Sequence, residues 1–175
     1  MKDENKVKFE IRKIFAGWFD VKFECEDKSV VISASDAWEH DAPRQMLKEL
    51  AECNGMEKFS KYIIWDEEPG SYVVCIDKED KECTLTIIYT KVDSDEWEKI
   101  DLHGDLSYQE ISDYVIHRSS LDILLQKGID FEYLVETVIN AFAEYEKDEK
   151  KSEYENNWME YPQQELDRLR ELYNR

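Results

Sequence analysis

Three histidines and four cysteines carry the widest chemical range near neutral pH, and their spacing decides whether any chemistry is open to them. His40 stands in Asp36-Ala37-Trp38-Glu39-His40-Asp41, where an imidazole among carboxylates has the donor types of a divalent-metal site. No His-Glu-x-x-His or comparable helical spacing accompanies it, so a solvated loop histidine is the plainer account. His103, between Asp101 and Asp105, is only a loose version of a base with an orienting acid. His117, in Ile116-His117-Arg118, falls on an expected helix, where a surface or half-buried polar role outweighs catalysis. A Cys, His and acid triad would have to be assembled by the fold, since no spacing assembles one.

Cys25, Cys53, Cys75 and Cys83 lack the Cys-x-x-Cys spacing of a zinc site or redox pair, and fit buried thiols of a reducing cytoplasm. Cys75 and Cys83 flank one expected turn, which opens the option of an oxidation-sensitive pair. The five glycines are isolated, so no phosphate-cradling loop is present. The acidic runs Asp66-Glu67-Glu68 and Asp93-Ser94-Asp95-Glu96 miss the positions of a twelve-residue calcium loop and fit solvated turns. No catalytic residue, cofactor or metal ligand is assigned on these grounds.

The charge balance is more informative, with 42 acidic against 23 basic residues and a formal charge of −19. Such an excess repels nucleic-acid phosphates and anionic lipid head groups, which argues against nucleic-acid and membrane-surface partners and allows basic ones. It also serves simply to keep a protein dissolved. Together, Asp66, Glu67, Glu68, Asp93, Asp95 and Glu96, with Trp97 among them and Trp38 and Trp65 elsewhere, have the composition of a surface that meets a basic protein. Aromatic anchors supply contact area and charge supplies approach rate. The competing account makes the tryptophans core or edge-strand packing.

The elements that must position these residues follow from periodicity. Val7, Phe9 and Ile11 alternate with charges through Ile14, and Ala16-Gly17 turns the chain into a second strand, Trp18 to Cys25; Glu26-Asp27-Lys28 leads to a third, Val30 to Ser35. Asp41-Ala42-Pro43 starts a helix whose Met46, Leu47, Leu50 and Cys53 share a face, and Asn54-Gly55 ends it. Three strands are expected at Phe59 to Trp65, Tyr72 to Ile76 and Thr84 to Tyr89, with connections short enough for antiparallel pairing. Trp97 to Leu102 is a further edge-strand candidate. Ser107 and Glu110 have capping-box spacing, with Leu106 and Ile111 as a hydrophobic staple, and the helix they open is expected to run unevenly to Gly128 across a break at Ser119-Ser120. Asp130 caps a helix striped by Phe131, Leu134, Val135, Val138, Ile139 and Phe142. Glu144 to Asn157 fits a solvated helix end or linker, and Pro162 starts a last helix carrying Leu166, Leu169 and Leu172.

The expected fold is therefore α+β: an antiparallel sheet of about six strands in the N-terminal half, packed against helices, with a C-terminal helical layer. Residues 1–145 are expected as a single domain, sheet-rich over 1–104 and helical over 105–145, followed by a charged linker and helix over 146–175. No segment approaches the roughly 18 apolar residues of a membrane span, and the start Met1-Lys2-Asp3-Glu4 lacks a signal peptide, so a cytoplasmic location is expected.

Gly17-Trp18-Phe19-Asp20-Val21 through Ile32-Ser33-Ala34-Ser35, with Ile64-Trp65-Asp66-Glu67-Glu68-Pro69-Gly70-Ser71-Tyr72, resembles small uncharacterised bacterial α+β proteins. The acidic whole is similar to immunity proteins of bacterial toxin systems. That resemblance implies a non-enzymatic inhibitor of a basic toxin domain and carries over no binding residues. Two alternatives stand beside it: an adaptor or structural protein that self-associates through its C-terminal helix, and an enzyme whose site is assembled from dispersed residues.

Overall fold

In the computed structural model, which describes residues 5–100 and 105–173, the N-terminal third forms a three-stranded antiparallel sheet from β1 (Lys8–Phe15), β2 (Trp18–Cys25) and β3 (Lys28–Ser35), in that order. The turn between β1 and β2 has positive φ at both Ala16 and Gly17, the handedness that a two-residue hairpin needs. A β-carbon on Gly17 would also come within 2.5 Å of the Asp36 carboxylate, so the position excludes larger residues twice over.

A second sheet holds β4 (Lys58–Glu67), β5 (Gly70–Glu79), β6 (Glu82–Thr90) and β7 (Leu121–Gly128), again antiparallel and in chain order. The α+β class stands, but the single sheet of about six strands is replaced by two sheets of three and four. After β3 the chain makes a 3-10 turn at Asp36–Trp38, and Asp41, whose carboxylate accepts from the Arg44 amide, then caps helix α1 (Ala42–Glu52), which separates the two sheets in sequence.

The seventh strand corrects the sequence reading, which ran a helix to Gly128. Leu121, Leu124 and Leu125 have helical spacing, yet the register of β7 against β6 shifts between Ile87 and Ile88. This bulge lets the consecutive residues Leu124 and Leu125 both join the larger core, while Leu121 joins the smaller one. A bulge in a strand thus imitates the helical pattern. The capping box at Ser107 and Glu110 is real, and its helix, α3 (Tyr108–Ile116), ends before the serines.

Both faces of the second sheet are covered, which explains the unbroken apolar runs Tyr62-Ile63-Ile64-Trp65 and Val73-Val74-Cys75-Ile76. On one face, Ile63, Trp65, Val74, Ile76, Leu85 and Ile87 pack with the inner face of the first sheet and with helices α1, α4 (Phe131–Ala143) and α6 (Gln163–Tyr173). On the other, Tyr62, Ile64, Val73, Cys75 and Ile88 are covered by Trp97 of the short helix α2 (Ser94–Trp97) and by Ile111 and Val115 of α3. The edge-strand candidate at Trp97 to Leu102 is helix at Trp97, and its last two residues lie outside those described.

The charged stretch after Glu144 contains helix α5 (Asp148–Asn157). Its Tyr154 is fully buried against Phe19, and Asn157 accepts the Gly17 amide at 2.8 Å through its backbone, so the segment is docked on the first hairpin. Arg44 fastens the last helix with two hydrogen bonds to Glu165, at 2.9 and 3.0 Å, and one to the Glu160 carbonyl. Arg170 grips Glu146 through both carboxylate oxygens, at 2.6 and 2.7 Å.

Candidate functional site

Strand β4 ends on Asp66 and Glu67, and a strand sends successive side chains to opposite faces. Asp66 therefore turns to the side of α2, where the Ser71 hydroxyl donates to it at 3.0 Å. The Trp97 indole N–H donates to the same Ser71 oxygen at 3.0 Å, and the Ser71 hydroxyl also lies 3.3 Å from the Val92 carbonyl. Trp97 is 2% exposed and completes this buried chain, so it belongs to the core and leaves no surface for a partner. Trp65 is likewise fully buried. Burial pushes the Asp66 carboxyl up, the Ser71 hydroxyl opposes the shift, and nearby Glu68 and Asp93 add to it.

The fold thus gathers Asp66, Glu68 and Asp93 at one end of the second sheet, and Asp95 is exposed on α2. Glu96 is neutralised by Lys99 and, at 3.6 Å, by Arg118, which stacks on Tyr114. No described cation pairs with Glu68, Asp93 or Asp95.

Glu67 faces the other way, toward Tyr72 and Asp20. Burial pushes its carboxyl up, the Tyr72 hydroxyl opposes this, and Asp20 adds to it. Here the two sheets splay and leave an open groove of about 610 Å³. Its floor is the ring pair Tyr72 and Tyr89, 5.0 Å apart, and its walls are Val30 and Val31 of β3 and Ile123 and Leu124 of β7. Gly70 makes room for this floor: a β-carbon there would sit 2.6 Å from the Tyr89 hydroxyl. Val31 and Ile123 are 51% and 49% exposed, unusual for side chains of their size, and Glu67 and Asp122 supply negative charge at the rim against Lys28.

Sequence reasoning missed this groove. One signal was present: Val30-Val31-Ile32 breaks the alternation of β3, so one of the three had to face outward. The other wall was hidden by reading β7 as helix.

The candidates for catalysis are dispersed. The His40 ring donates from Nε2 to the Ile64 carbonyl at 3.1 Å, and burial pushes its pKa down, so the solvated loop histidine of the sequence reading is instead a half-buried clasp between loop and sheet. His103 lies outside the described residues, and His117 is exposed at the end of α3. Cys75 and Cys83 belong to opposite faces of the second sheet and cannot pair. Burial pushes Cys53 and Cys83 each up to about 12, which disfavours the reactive thiolate. Among the described residues no group of three metal-capable side chains converges, and no helix is long and apolar enough to cross a membrane. Leu166 and Leu169 of α6 are fully buried within their own chain.

These features define an α+β protein of two antiparallel sheets with an acidic sheet end and an adjoining apolar groove. No family model, curated protein or solved structure matches the chain.

Proposed function

We propose that the chain is a non-enzymatic binding module for a basic protein, and that it acts as an immunity-type inhibitor of a basic toxin domain in the cytoplasm. The observation that carries this reading is the gathering of Glu68 and Asp93 beside Asp66, whose carboxyl burial pushes up, with no described cation in ion-pair contact with Glu68, Asp93 or Asp95. Like charges held together raise one another's energy, and an approaching lysine or arginine relieves that repulsion. The net charge of −19 extends the attraction beyond contact and accelerates encounter. An acidic surface of this kind also competes with phosphate for the cationic cleft of a nuclease.

Self-association through the C-terminal helix has less support, because it would require leucines of α6 that are already covered. The test is capture of partners from the native cell by the wild type and by a Glu68→Lys, Asp93→Lys, Asp95→Lys variant. A basic protein should be retained by the wild type at low salt, weaken as salt rises, and be lost by the variant; co-expression should then protect cells from that protein. Equal capture by the variant, or binding indifferent to salt, overturns the reading.

A further inference from the structure

The acidic sheet end accounts for attraction, and the groove beside it adds an apolar surface. We infer that the groove between β3 and β7 takes an extended cationic segment of a partner protein, lying along the free edge of β3; this rests on the reading of the chain as a binder of basic proteins.

Three observations lead there. Four consecutive residues of β3, Lys28 to Val31, line the groove. A strand sends successive side chains to opposite faces, so four consecutive lining residues place the groove at the strand's edge. Second, this edge carries no hydrogen bond from a described group, although β3 packs beside β4. The outer edge of β1 has its Phe9 amide bonded to the Thr137 hydroxyl at 3.1 Å, and β4 has its Ile64 carbonyl bonded by His40, whereas no described group bonds the edge of β3 away from β2. Unpaired strand edges accept added strands, whose main-chain bonds give affinity and whose alternate side chains give selectivity.

Third, the lining sorts those side chains. Tyr72 and Tyr89 form an apolar floor, with Leu124 on the wall beside them, for every second residue of an added strand. Glu67 and Asp122 stand at the rim, and Asp20 lies close enough to Glu67 to raise its carboxyl, so cations on the intervening residues are the complementary charge. The matching segment alternates lysine or arginine with β-branched or aromatic residues.

The experiment titrates a capped alternating lysine–valine peptide of about eight residues into the full ¹⁵N-labelled chain at low salt. Amide shifts should concentrate at 28–31 and 122–124. Affinity should fall at least tenfold in Val31→Lys and in Ile123→Lys, both at exposed positions that leave the core intact, and at least tenfold for the same peptide with alternate amides N-methylated. No binding below about 1 mM, or equal binding of the N-methylated peptide, overturns the inference. Shifts confined to the surroundings of Glu68, Asp93 and Asp95 overturn the groove while leaving the basic-partner reading standing. An alternating glutamate–valine peptide that binds equally well overturns both.

Discussion

Lys61 is the most tightly held charge among the described residues, with its side chain 7% exposed and its ammonium at 2.9 Å from Glu49, 2.8 Å from Glu52 and 2.7 Å from Asp105. Burial alone would lower its pKa, but the three carboxylates outweigh burial and move it up. Removing the cation strands Glu49, itself 10% exposed, as an unpaired buried charge. Lys61→Met is expected to cost about 3 kcal/mol, measured as a lower urea midpoint with unchanged slope. The figure sits at the low end of the range for broken buried pairs because Glu52 and Asp105 reach solvent. Lys58→Met, which breaks an exposed pair with Glu79, should leave the midpoint in place. Two further groups make stability depend on pH with opposite signs. His40 has its folded pKa pushed below the unfolded value of about 6.5, so below that pH the unfolded chain binds the proton first. Stability is full above about pH 6.5 and falls as acid is added, and His40→Gln, which keeps a donor for Ile64, should lose that part of the slope in denaturation series. Asp66 has its folded pKa pushed above the unfolded value, so its ionisation costs stability as pH rises through that window. Asp66→Asn should therefore raise the melting temperature at pH 7, with the gain disappearing near pH 3.

At the scale of elements, the hairpins and the capped helices were legible because each has a local cause: Ala16-Gly17 for the first turn, Asp41, Ser107 and Asp130 for the helix starts. The failures came from long-range causes. Whether β3 continues into one sheet or starts another depends on packing between residues far apart in sequence. The bulge at Leu124 depends on β6, thirty-odd residues upstream, and no local spacing records it. Helix α5 was hidden because ten residues with a single buried side chain show no stripe. The same division holds for the candidate site. Runs of acids are visible in sequence, but the opposite facing of Asp66 and Glu67, and the meeting of Tyr72, Tyr89, Val31 and Ile123, exist only after two sheets cross. The docking of α5 carries a prediction of its own. The Tyr154 hydroxyl is buried with no hydrogen-bond partner among the described residues, while the ring makes edge contacts with Phe19, Tyr145 and Tyr161. Tyr154→Phe keeps the ring contacts and removes an unsatisfied group, so stability should rise by about 1 kcal/mol in thermal or urea unfolding. Tyr154→Ala should instead release α5 from the first hairpin, read as faster amide exchange at Ala16 and Gly17, whose N–H groups bond Asn157.

For the molecule as a whole, the acidic excess acts on stability and on binding in opposite directions, and ionic strength separates the two. A folded chain holding 42 acids and 23 bases confines like charges that the unfolded chain spreads apart, so self-repulsion weighs on the folded state. Salt shortens the range of that repulsion to about 8 Å near physiological strength. It also screens the attractive pairs, but those at Lys61, Arg44 and Arg170 are partly shielded from solvent and lose less. Repulsion therefore falls by more than attraction, and the melting temperature should rise between about 10 mM and 300 mM salt. Association with a basic partner should weaken over the same range, chiefly through slower encounter. A protein whose stability and affinity both fell with salt would be held together by exposed ion pairs, and its acids would be engaged with its own lysines and arginines instead of presented to another chain.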